Sequence, residues 1–456
     1  MPRRTSNSSR FGGAALALLV LTGTFALVRI DAKAQPPSGA PNVLIIVTDD
    51  QRYDGTLAGM PGVRKWFKKQ GRFFSQAFAT TPLCCPARAS IFTGQYAHNH
   101  GVRKNNLGDE LPQNRTIQRS LWLNGYNTAM AGKYLNGWQI EDNPPYFDRW
   151  AMQKWGYYES EFNVDGFVQE VSKYSTTYVT DNAIEFLEDF EAEDPLPWFV
   201  YVAPFAAHKP YAPQERYAER DVGKWYGNPA VRERNLHDKP EIKARDLSPR
   251  EGHFIRRKQL RTLYSADDSV GRIMSWLEEN GESENTLAFF ISDNGRSWGE
   301  HGLDGKRLPY TESVRVPFML RWPRRVEGAT RDKRIVANID LAPTILEAAG
   351  ISPEHRLDGI DLLDRRQERS RILLESWGNF RKGIPSWAST RTGDYQYVEY
   401  YGRRGRRIFR EYYLLDRDPW QLKNLFGNSE RRDDPVGPPL NEQLRRDRRC
   451  AGRSCP

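Results

Sequence analysis

Four runs of consecutive apolar residues recur along the chain, and segments of helical periodicity lie between them. Each run is apolar over nearly its whole length, as in strands that are buried on both faces of a parallel sheet. The runs are residues 42–48, 127–131, 198–203 and 286–292. Segments 116–124, 178–190 and 259–279 have apolar residues spaced as on one helix face. The alternation predicts an α/β fold with a mainly parallel central sheet and helices on both faces.

The pattern changes after about residue 359. Short stretches of strand-forming residues are separated there by turn residues, which predicts a small antiparallel sheet. The stretches are residues 371–376, 387–391, 395–400 and 412–416. Segment 431–456 is polar and rich in Arg and Pro, and we expect it to form a mobile tail. The predicted organisation is a large domain at 42–358, a C-terminal subdomain at 359–430 and this tail.

Residues 1–34 have the pattern of a signal peptide. Three arginines lie among the first ten residues, an apolar stretch rich in Ala and Leu follows, and Ala32 and Ala34 provide the small residues of a cleavage site. A Pro- and Gly-rich linker at 35–41 leads into the first strand. The alternative is an uncleaved membrane anchor, although the apolar stretch is at the short limit for a span. We predict a secreted, periplasmic or cell-surface protein without a stable membrane span in its mature form.

Composition and charge exclude several classes of protein. With 39% hydrophobic and 27% charged residues among 456, the chain is neither a collagen, nor a polytopic membrane protein, nor fully disordered. The formal net charge of +9 suits an anionic substrate. Nucleic acid is not predicted as a partner, because no basic run with interleaved aromatic residues occurs outside the tail. Cys450 and Cys455 are close enough to form a disulfide after export.

Polar side chains that can bind a ligand follow all four apolar strands. They are Asp49, Asp50, Lys133, His208, Asp293 and Asn294. Ligands of open α/β sheets bind beyond the carboxyl ends of the strands, so these residues are expected to converge. Carboxylate and amide oxygens favour a hard cation, Ca²⁺ or Mg²⁺, over zinc. The alternative, caps and turns alone, leaves the repulsion between the adjacent carboxylates of Asp49 and Asp50 unexplained.

Residues 83–94 combine a pair of cysteines with helix signals. Pro86 suits the first position of a helix and Gly94 its end, so a short helix should begin directly after the cysteines. Cys84 would then lie where free backbone N–H groups favour an anion. Arg88, one turn later, adds a guanidinium that fits tetrahedral oxyanions. The segment predicts an anion site with a thiol nucleophile. The alternative is that Cys84 and Cys85 are buried structural cysteines.

These residues resemble the signature of the sulfatase family. The pattern Cys84-x-Pro-x-Arg88 followed by Thr-Gly94 is similar to the motif whose first cysteine is converted to Cα-formylglycine. The resemblance extends from residue 42 to about residue 424. Further matching motifs start at Gly132, His208, Asp293, Gly299, Tyr310, Val316, Asp340 and Asp416. The resemblance implies an alkaline-phosphatase-like fold in which residues 42–358 form the catalytic domain.

The resemblance also implies roles for individual residues. The ligands of one Ca²⁺, or alternatively Mg²⁺, would be Asp49, Asp50, modified Cys84, Asp293 and Asn294. The residues around the sulfate would be Arg88, Lys133, His208 and Lys306. One hydroxyl of the hydrated aldehyde would displace the alcohol, with His208 or a lysine protonating the leaving oxygen, and the second hydroxyl would allow release of sulfate. The implied partners are a small or oligosaccharide sulfate ester and a formylglycine-generating enzyme.

One position departs from the sulfatase pattern. Many sulfatases have a histidine two residues after the lysine, whereas Leu135 follows Lys133 here, so the base for sulfate release is unassigned. The sequence around Lys133 resembles that of the N-acetylglucosamine-6-sulfatase and heparan-sulfate 6-endosulfatase branch. We predict His98 and His100 as substrate-binding residues, either of which replaces the missing base. The alternative is that they are ordinary surface histidines.

The sequence thus predicts an exported sulfuric ester hydrolase that acts on a sulfated sugar or an aryl sulfate. One alternative is a phosphonate or phosphate ester hydrolase with the same formylglycine. A second is a non-catalytic binder of sulfated glycans, which would not need the intact Cys84, Pro86 and Arg88. A two-zinc phosphatase is disfavoured because the proposed metal positions lack a histidine cluster.

Overall fold

The computed structural model describes residues 33–193, 196–242, 247–426, 428 and 430–456. The predicted signal peptide lies outside the described residues, apart from Lys33 and Ala34. Among the helices of the described ranges, none has both the length and the apolar character needed to cross a bilayer.

The large domain is built on a sheet of ten strands. The strands of the described chain are β1 (Asn42–Thr48), β2 (Arg72–Phe78), β3 (Asn127–Lys133), β4 (Arg149–Gln153), β5 (Ser160–Val164), β6 (Phe167–Val171), β7 (Trp198–Ala203), β8 (Thr286–Ser292), β9 (Ser297–Trp298), β10 (Asp304–Gly305), β11 (Phe318–Arg321), β12 (Thr330–Ala337), β13 (Ile372–Ser376), β14 (Ser386–Arg391), β15 (Tyr395–Tyr401) and β16 (Arg407–Leu414). The order in the large sheet is β12-β2-β11-β8-β1-β7-β3-β4-β5-β6. Neighbours from β8 to β4 are parallel, whereas β11, β5 and β6 pair antiparallel with their neighbours.

Helices cover both faces of this sheet. The α-helices of the described chain are α1 (Pro61–Val63), α2 (Cys84–Thr93), α3 (Ala97–His100), α4 (Ile117–Leu123), α5 (Ser175–Glu193), α6 (Pro249–Glu279), α7 (Thr311–Val314), α8 (Leu341–Ala349) and α9 (Gly437–Asp447). Val43, Ile45 and Val47 of β1 belong to a core cluster that includes residues of α2, α4 and α8. Leu44 and Ile46 belong to the cluster of α5 and α6. The predicted mainly parallel sheet with helices on both faces is confirmed.

The long helices extend further than their apolar spacing indicates. Helix α6 begins at Pro249, ten residues before the predicted start, because a capping box forms there. The Ser248 side chain accepts a hydrogen bond from the backbone N–H of Glu251, and the Glu251 side chain accepts one from the backbone N–H of Ser248. Helix α5 begins at Ser175 rather than at residue 178. Strand β6 was not predicted, since its four residues 167–170 are exposed and lack a buried face.

The C-terminal region forms the predicted small antiparallel sheet, in the order β13-β14-β15-β16. The expectation of a mobile tail is wrong for residues 437–447, which form α9. Leu444 of this helix is fully buried, and Asp447 accepts a 2.8 Å hydrogen bond from Arg371. Cys450 and Cys455 form the predicted disulfide. The apolar spacing between Leu440 and Leu444 is the signal for this helix in an otherwise charged segment.

Candidate active site

The four apolar strands predicted from the sequence lie next to one another in the order β8-β1-β7-β3. Thr48 pairs with Ser292, so the chain leaves β1 and β8 at the same level and Asp49 lies beside Asp293. Asp50 has a φ of 60°, a left-handed conformation uncommon for a residue other than glycine. Its backbone N–H donates to Asp293 Oδ1 at 3.2 Å. The parallel sheet therefore gathers the carboxylates at one edge.

Helix α2 brings Cys84 and Arg88 to the same edge. The helix begins at Cys84, so Pro86 is its third residue rather than its first as predicted. It ends at Thr93 and is capped by Gly94, whose φ is 65° and where an added Cβ would lie 2.9 Å from Ala342 Cβ. Glycine is therefore required there by both conformation and space. This fixed end and the sheet beneath hold the start of the helix at the site.

Arg88 is fully buried at the centre of the site. Its Nε donates to Asp293 Oδ2 at 2.9 Å, and its Nη1 donates to the Lys133 carbonyl at 2.8 Å and to the Tyr201 hydroxyl at 3.2 Å. Its Nη2 lies 3.5 Å from Asp49 Oδ2 and has no hydrogen-bond partner among the residues that the structure describes. A buried guanidinium nitrogen without a partner costs free energy, so this atom is available to an oxyanion.

The Cys84 side chain is surrounded by polar groups. Lys306 Nζ lies 2.7 Å from its Sγ, and Asp49 Oδ1 lies 3.5 Å from it. Burial, followed by the charge of Asp49, raises the pKa of the thiol to about 12. In the protein without bound ligands the unmodified Cys84 is therefore a neutral thiol and not an activated thiolate.

The two adjacent carboxylates are each paired with a lysine. Lys133 donates to Asp49, and Lys306 donates to Asp50. Burial alone would raise the pKa of Asp49, but the charges of Lys133, of Arg88 and, at the low pH where Asp49 titrates, of His208 outweigh it and hold that pKa well below its usual range. The site therefore keeps both carboxylates ionised in a buried environment, which is the state a metal ligand needs.

The donor set fits a hard cation. Ligand atoms of Asp49, Asp50, Cys84 and His208 lie within 4.8 Å of one another. Lys306 Nζ contacts Asp50 and Cys84 and lies 3.1 Å from the side-chain amide oxygen Oδ1 of Asn294. Several of the predicted ligands thus already converge on one positive charge. Carboxylate and amide oxygens match the preference of Ca²⁺ or Mg²⁺.

His208 lies at the mouth of the site. Its Nδ1 donates to the Lys209 carbonyl at 2.7 Å, which leaves Nε2 directed at Asp50 Oδ2 over 3.9 Å. The ring packs edge-on against Trp155 at a centroid distance of 4.9 Å. Burial lowers the pKa of His208 despite the neighbouring carboxylates. The ring is therefore neutral at pH 7, with Nε2 free to take up a proton.

The structure does not bring His98 and His100 to this group. His98 Nδ1 bonds to Glu375 at 2.9 Å, and its Nε2 bonds to the Cys450 carbonyl at 2.9 Å. His100 is buried behind α2, with Nε2 3.1 Å from Ser90 Oγ and Nδ1 accepting from the backbone of Val102. Both ring nitrogens of each histidine are therefore occupied by structural partners.

Several residues of the site were not singled out from the sequence. Tyr201 bonds to Arg88 from the middle of β7, where its hydroxyl is hidden within an apolar run. Arg296 Nη1 approaches Asp50 Oδ2 at 3.4 Å. Because Arg296 lies only two residues after Asn294, the sequence itself indicates that it is near the site.

Comparison with known proteins identifies the family of this chain. The family model described as Sulfatase matches residues 41–351. The chain belongs to the sulfatase family. A second model, described as the C-terminal region of N-sulphoglucosamine sulphohydrolase, matches residues 299–449. The two models together include α2, the strand ends and the small C-terminal sheet.

Named relatives resemble this sulfatase over different shares of their length. Human N-acetylglucosamine-6-sulfatase is 31% identical over 518 aligned residues, covering 97% of this chain and 90% of the relative. An extracellular sulfatase Sulf-1 homologue of Caenorhabditis elegans is 32% identical over 365 residues, and one of Drosophila melanogaster is 32% identical over 360. The alignments cover 74% of this chain in both, but 51% of the nematode and 32% of the fly protein.

Solved structures share the fold. A protein in complex with its substrate D-glucosamine-2-N,6-O-disulfate superimposes with a TM-score of 0.78 at 22% identity, covering 89% of this chain and 97% of that one. The phosphonate monoester hydrolase of Agrobacterium radiobacter superimposes with a TM-score of 0.70 at 20% identity, covering 90% and 96%. At these identities the likeness concerns the fold alone, and the predicted alkaline-phosphatase-like fold is confirmed.

Proposed function

We propose that this sulfatase hydrolyses sulfate esters of sulfated sugars, with formylglycine formed from Cys84 and a bound Ca²⁺. The observation that carries the proposal is the start of α2, where position 84 meets buried cationic groups and a set of oxygen ligands. The ligands would be Asp49, Asp50, the residue at position 84, Asp293 and Asn294. When bound, Ca²⁺ supplies positive charge to the reacting oxygens, and hydrated formylglycine supplies the nucleophilic hydroxyl.

The cationic side chains bind the sulfate group. Arg88 Nη2 is buried beside Asp49, and no hydrogen-bond partner for it occurs in the described part of the chain. Lys133 and Lys306 neutralise the metal-ligand carboxylates in the protein alone. Once those carboxylates have another counter-charge, both ammonium groups are released to hold sulfate oxygens. Fixed positive charges in a site that excludes water stabilise the negative charge that develops in the transition state.

His208 is neutral at rest, so its Nε2 would take up a proton from the attacking hydroxyl and give that proton to the leaving oxygen. Its Nδ1 is held by the Lys209 carbonyl, so Nε2 is the nitrogen that faces the site. Leu135 is buried and cannot carry a proton, and the histidines at 98 and 100 have other partners. We therefore assign both proton transfers, to the leaving group and during sulfate release, to His208.

A 6-O-sulfated glucosamine is the substrate class that the relatives support. The human relative is named N-acetylglucosamine-6-sulfatase, and the relatives from the nematode and the fly are named extracellular sulfatases. We propose an exported enzyme that meets its formylglycine-generating enzyme before or during export. An aryl sulfate remains a substrate for assays of the same chemistry.

A phosphonate ester hydrolase is the second candidate. This candidate is retained because the chain shares its fold with the phosphonate monoester hydrolase of Agrobacterium radiobacter. The test compares the kcat/KM of one protein preparation on N-acetylglucosamine-6-sulfate and on a phenyl phosphonate monoester. A higher value on the phosphonate ester would replace sulfate by phosphonate as the substrate class.

Mass spectrometry of the peptide that contains Cys84 tests the proposed nucleophile. In protein produced with a formylglycine-generating enzyme we expect a loss of about 18 Da relative to cysteine, because aldehyde oxygen replaces the thiol. The same peptide contains Cys85, which must keep its mass. Hydrolysis of N-acetylglucosamine-6-sulfate should rise with the modified fraction. Full activity with unmodified Cys84 would contradict the mechanism.

A further inference from the structure

Trp155 is an exposed aromatic side chain beside His208 that the proposed reaction does not use. Its relative exposure is 50%, and none of the other tryptophans in the described ranges is as exposed. Its ring centroid lies 4.9 Å from that of His208 and 4.8 Å from that of Phe205, with angles of 79° and 68° between the ring planes. The indole therefore touches the side chain that transfers the proton and still has surface open to solvent.

Phe205 connects this indole to the sulfate end of the site. Phe205 is fully buried, and its ring centroid lies 5.0 Å from that of His208. Lys133 Nζ, which we assign to the sulfate oxygens, lies 5.9 Å from the same centroid. One aromatic ring thus touches both the sulfate-binding ammonium group and Trp155. The exposed indole lies at the outer end of this chain of contacts.

The turn that contains Trp155 is held in place from two directions. Ser160 Oγ of β5 donates a hydrogen bond to the Trp155 carbonyl at 2.6 Å. The hydroxyl of Tyr157 donates to the His208 carbonyl at 2.8 Å, which ties the turn to the segment of His208. A surface that is fixed before binding loses little conformational entropy when a ligand packs against it. Trp155 is therefore preorganised as a contact surface.

The chemistry of a 6-O-sulfated sugar brings its ring to this surface. The leaving oxygen must come within hydrogen-bond distance of His208 Nε2 to receive the proton. That oxygen is bonded to C6, and C6 is bonded to the pyranose ring, so the ring lies next to His208. The faces of a pyranose present C–H groups, which pack against an indole and remove apolar surface from water.

We propose that Trp155 binds the pyranose ring of the substrate and gives the site its preference for a sugar over an acyclic sulfate ester. The inference rests on the proposed function, because the ring belongs to the sugar that carries the sulfate. The competing role of Trp155 is to hold His208 in position. A residue that only positions His208 would leave the preference between two esters unchanged, whereas a residue that binds the ring sets that preference.

The experiment compares two sulfate esters of primary alcohols. N-acetylglucosamine-6-sulfate contains the pyranose ring, and propyl sulfate has the same ester group without it. The Kd of each ester is measured by calorimetry in Ca²⁺ with the Cys84→Ala variant, which lacks the nucleophile. We expect the sugar ester to bind about tenfold more tightly than propyl sulfate. Adding Trp155→Ala should reduce this preference to less than about threefold and change the Kd of propyl sulfate by less than about twofold.

Two further variants serve as controls. Trp155→Phe keeps a smaller aromatic ring and should retain part of the preference. Phe167→Ala removes an aromatic side chain that is 78% exposed on β6, at the end of the ten-stranded sheet. It should leave both Kd values as in the Cys84→Ala protein. Thermal unfolding of each variant checks that it is folded.

Two results would overturn the inference. One is a Cys84→Ala protein that binds the sugar ester no more tightly than propyl sulfate, including a protein that binds neither. The other is a Trp155→Ala variant that keeps the full preference, whatever happens to kcat, which would mean that Trp155 acts through His208. An active-site-modified parent that hydrolyses no sulfated sugar contradicts the proposed function instead. In that case the two Kd values, with and without Trp155→Ala, still decide the role of Trp155.

Discussion

Buried carboxylates occur both at the candidate active site and in the small C-terminal sheet. The site group consists of Asp49, Asp50 and Asp293. The other is Glu411 on β16, which is fully buried under the C-terminal sheet. Glu411 accepts hydrogen bonds from the hydroxyls of three tyrosines at 2.7–2.9 Å. They are Tyr310, Tyr400 and Tyr413.

The two groups solve the same problem in different ways. The Glu411 carboxylate accepts hydrogen bonds from neutral tyrosine hydroxyls, and burial raises the pKa of Glu411. The site instead pairs its buried carboxylates with full positive charges, and among the described residues Arg88 Nη2 has no hydrogen-bond partner. Buried polar groups that are satisfied within the chain serve the fold, whereas uncompensated charges favour binding of an external ion or substrate. The contrast separates stability from function within one molecule.

The largest expected effect is on activity, at position 84. Cys84→Ala removes the precursor of the nucleophile, so we expect kcat/KM to fall by about four orders of magnitude or more. The melting temperature should stay close to that of the parent, because a thiol becomes a methyl group at a helix start. Assays on N-acetylglucosamine-6-sulfate and thermal unfolding measure the two effects. Substantial residual activity would mean that position 84 does not provide the nucleophile.

Glu411→Ala should have the largest effect on stability. It leaves three buried tyrosine hydroxyls without their acceptor, and each unsatisfied donor costs about 1–3 kcal/mol, so the free energy of unfolding should fall by about 3 kcal/mol or more. The loss should be equal in Ca²⁺ and in chelator, as measured by denaturant unfolding. Glu411→Gln keeps the shape and one acceptor oxygen and should lose less. If the loss depended on Ca²⁺, Glu411 would be coupled to the metal, and the contrast between Glu411 and the site carboxylates would be wrong.

Asp49→Ala should change the response to Ca²⁺ instead. A cation that binds the folded state at 100 times its Kd stabilises the parent by about 2.7 kcal/mol, and the variant should lose most of this increment. The measured quantity is the difference between unfolding in Ca²⁺ and in chelator. This difference is required because the variant also leaves Lys133 without its partner, which destabilises the protein under both conditions. An unchanged Ca²⁺ increment would show that Asp49 is not a ligand.

The sequence predicts the site where local pattern and topology coincide. The apolar runs of β1 and β8 end in Asp49 and Asp293, and the parallel register alone brings these residues together. Lys306 was identified from the family resemblance, because it lies in a loop without periodicity. The partners of His98, Glu375 and the Cys450 carbonyl, are distant in sequence, so no local signal indicates that this histidine is structural.

The smallest effect is expected at the neighbouring cysteine, which is the matched control for position 84. Cys85 is also fully buried, but its Sγ donates to the Asn136 carbonyl at 3.3 Å. Cys85→Ala loses this weak bond and a small volume, so the free energy of unfolding should fall by about 1 kcal/mol. We expect kcat/KM within about threefold of the parent, and the same loss of about 18 Da at Cys84. The same assay and peptide mass measure both. If Cys85→Ala and Cys84→Ala were equally inactive while both proteins remained folded, the assignment of the nucleophile to the first cysteine would be wrong.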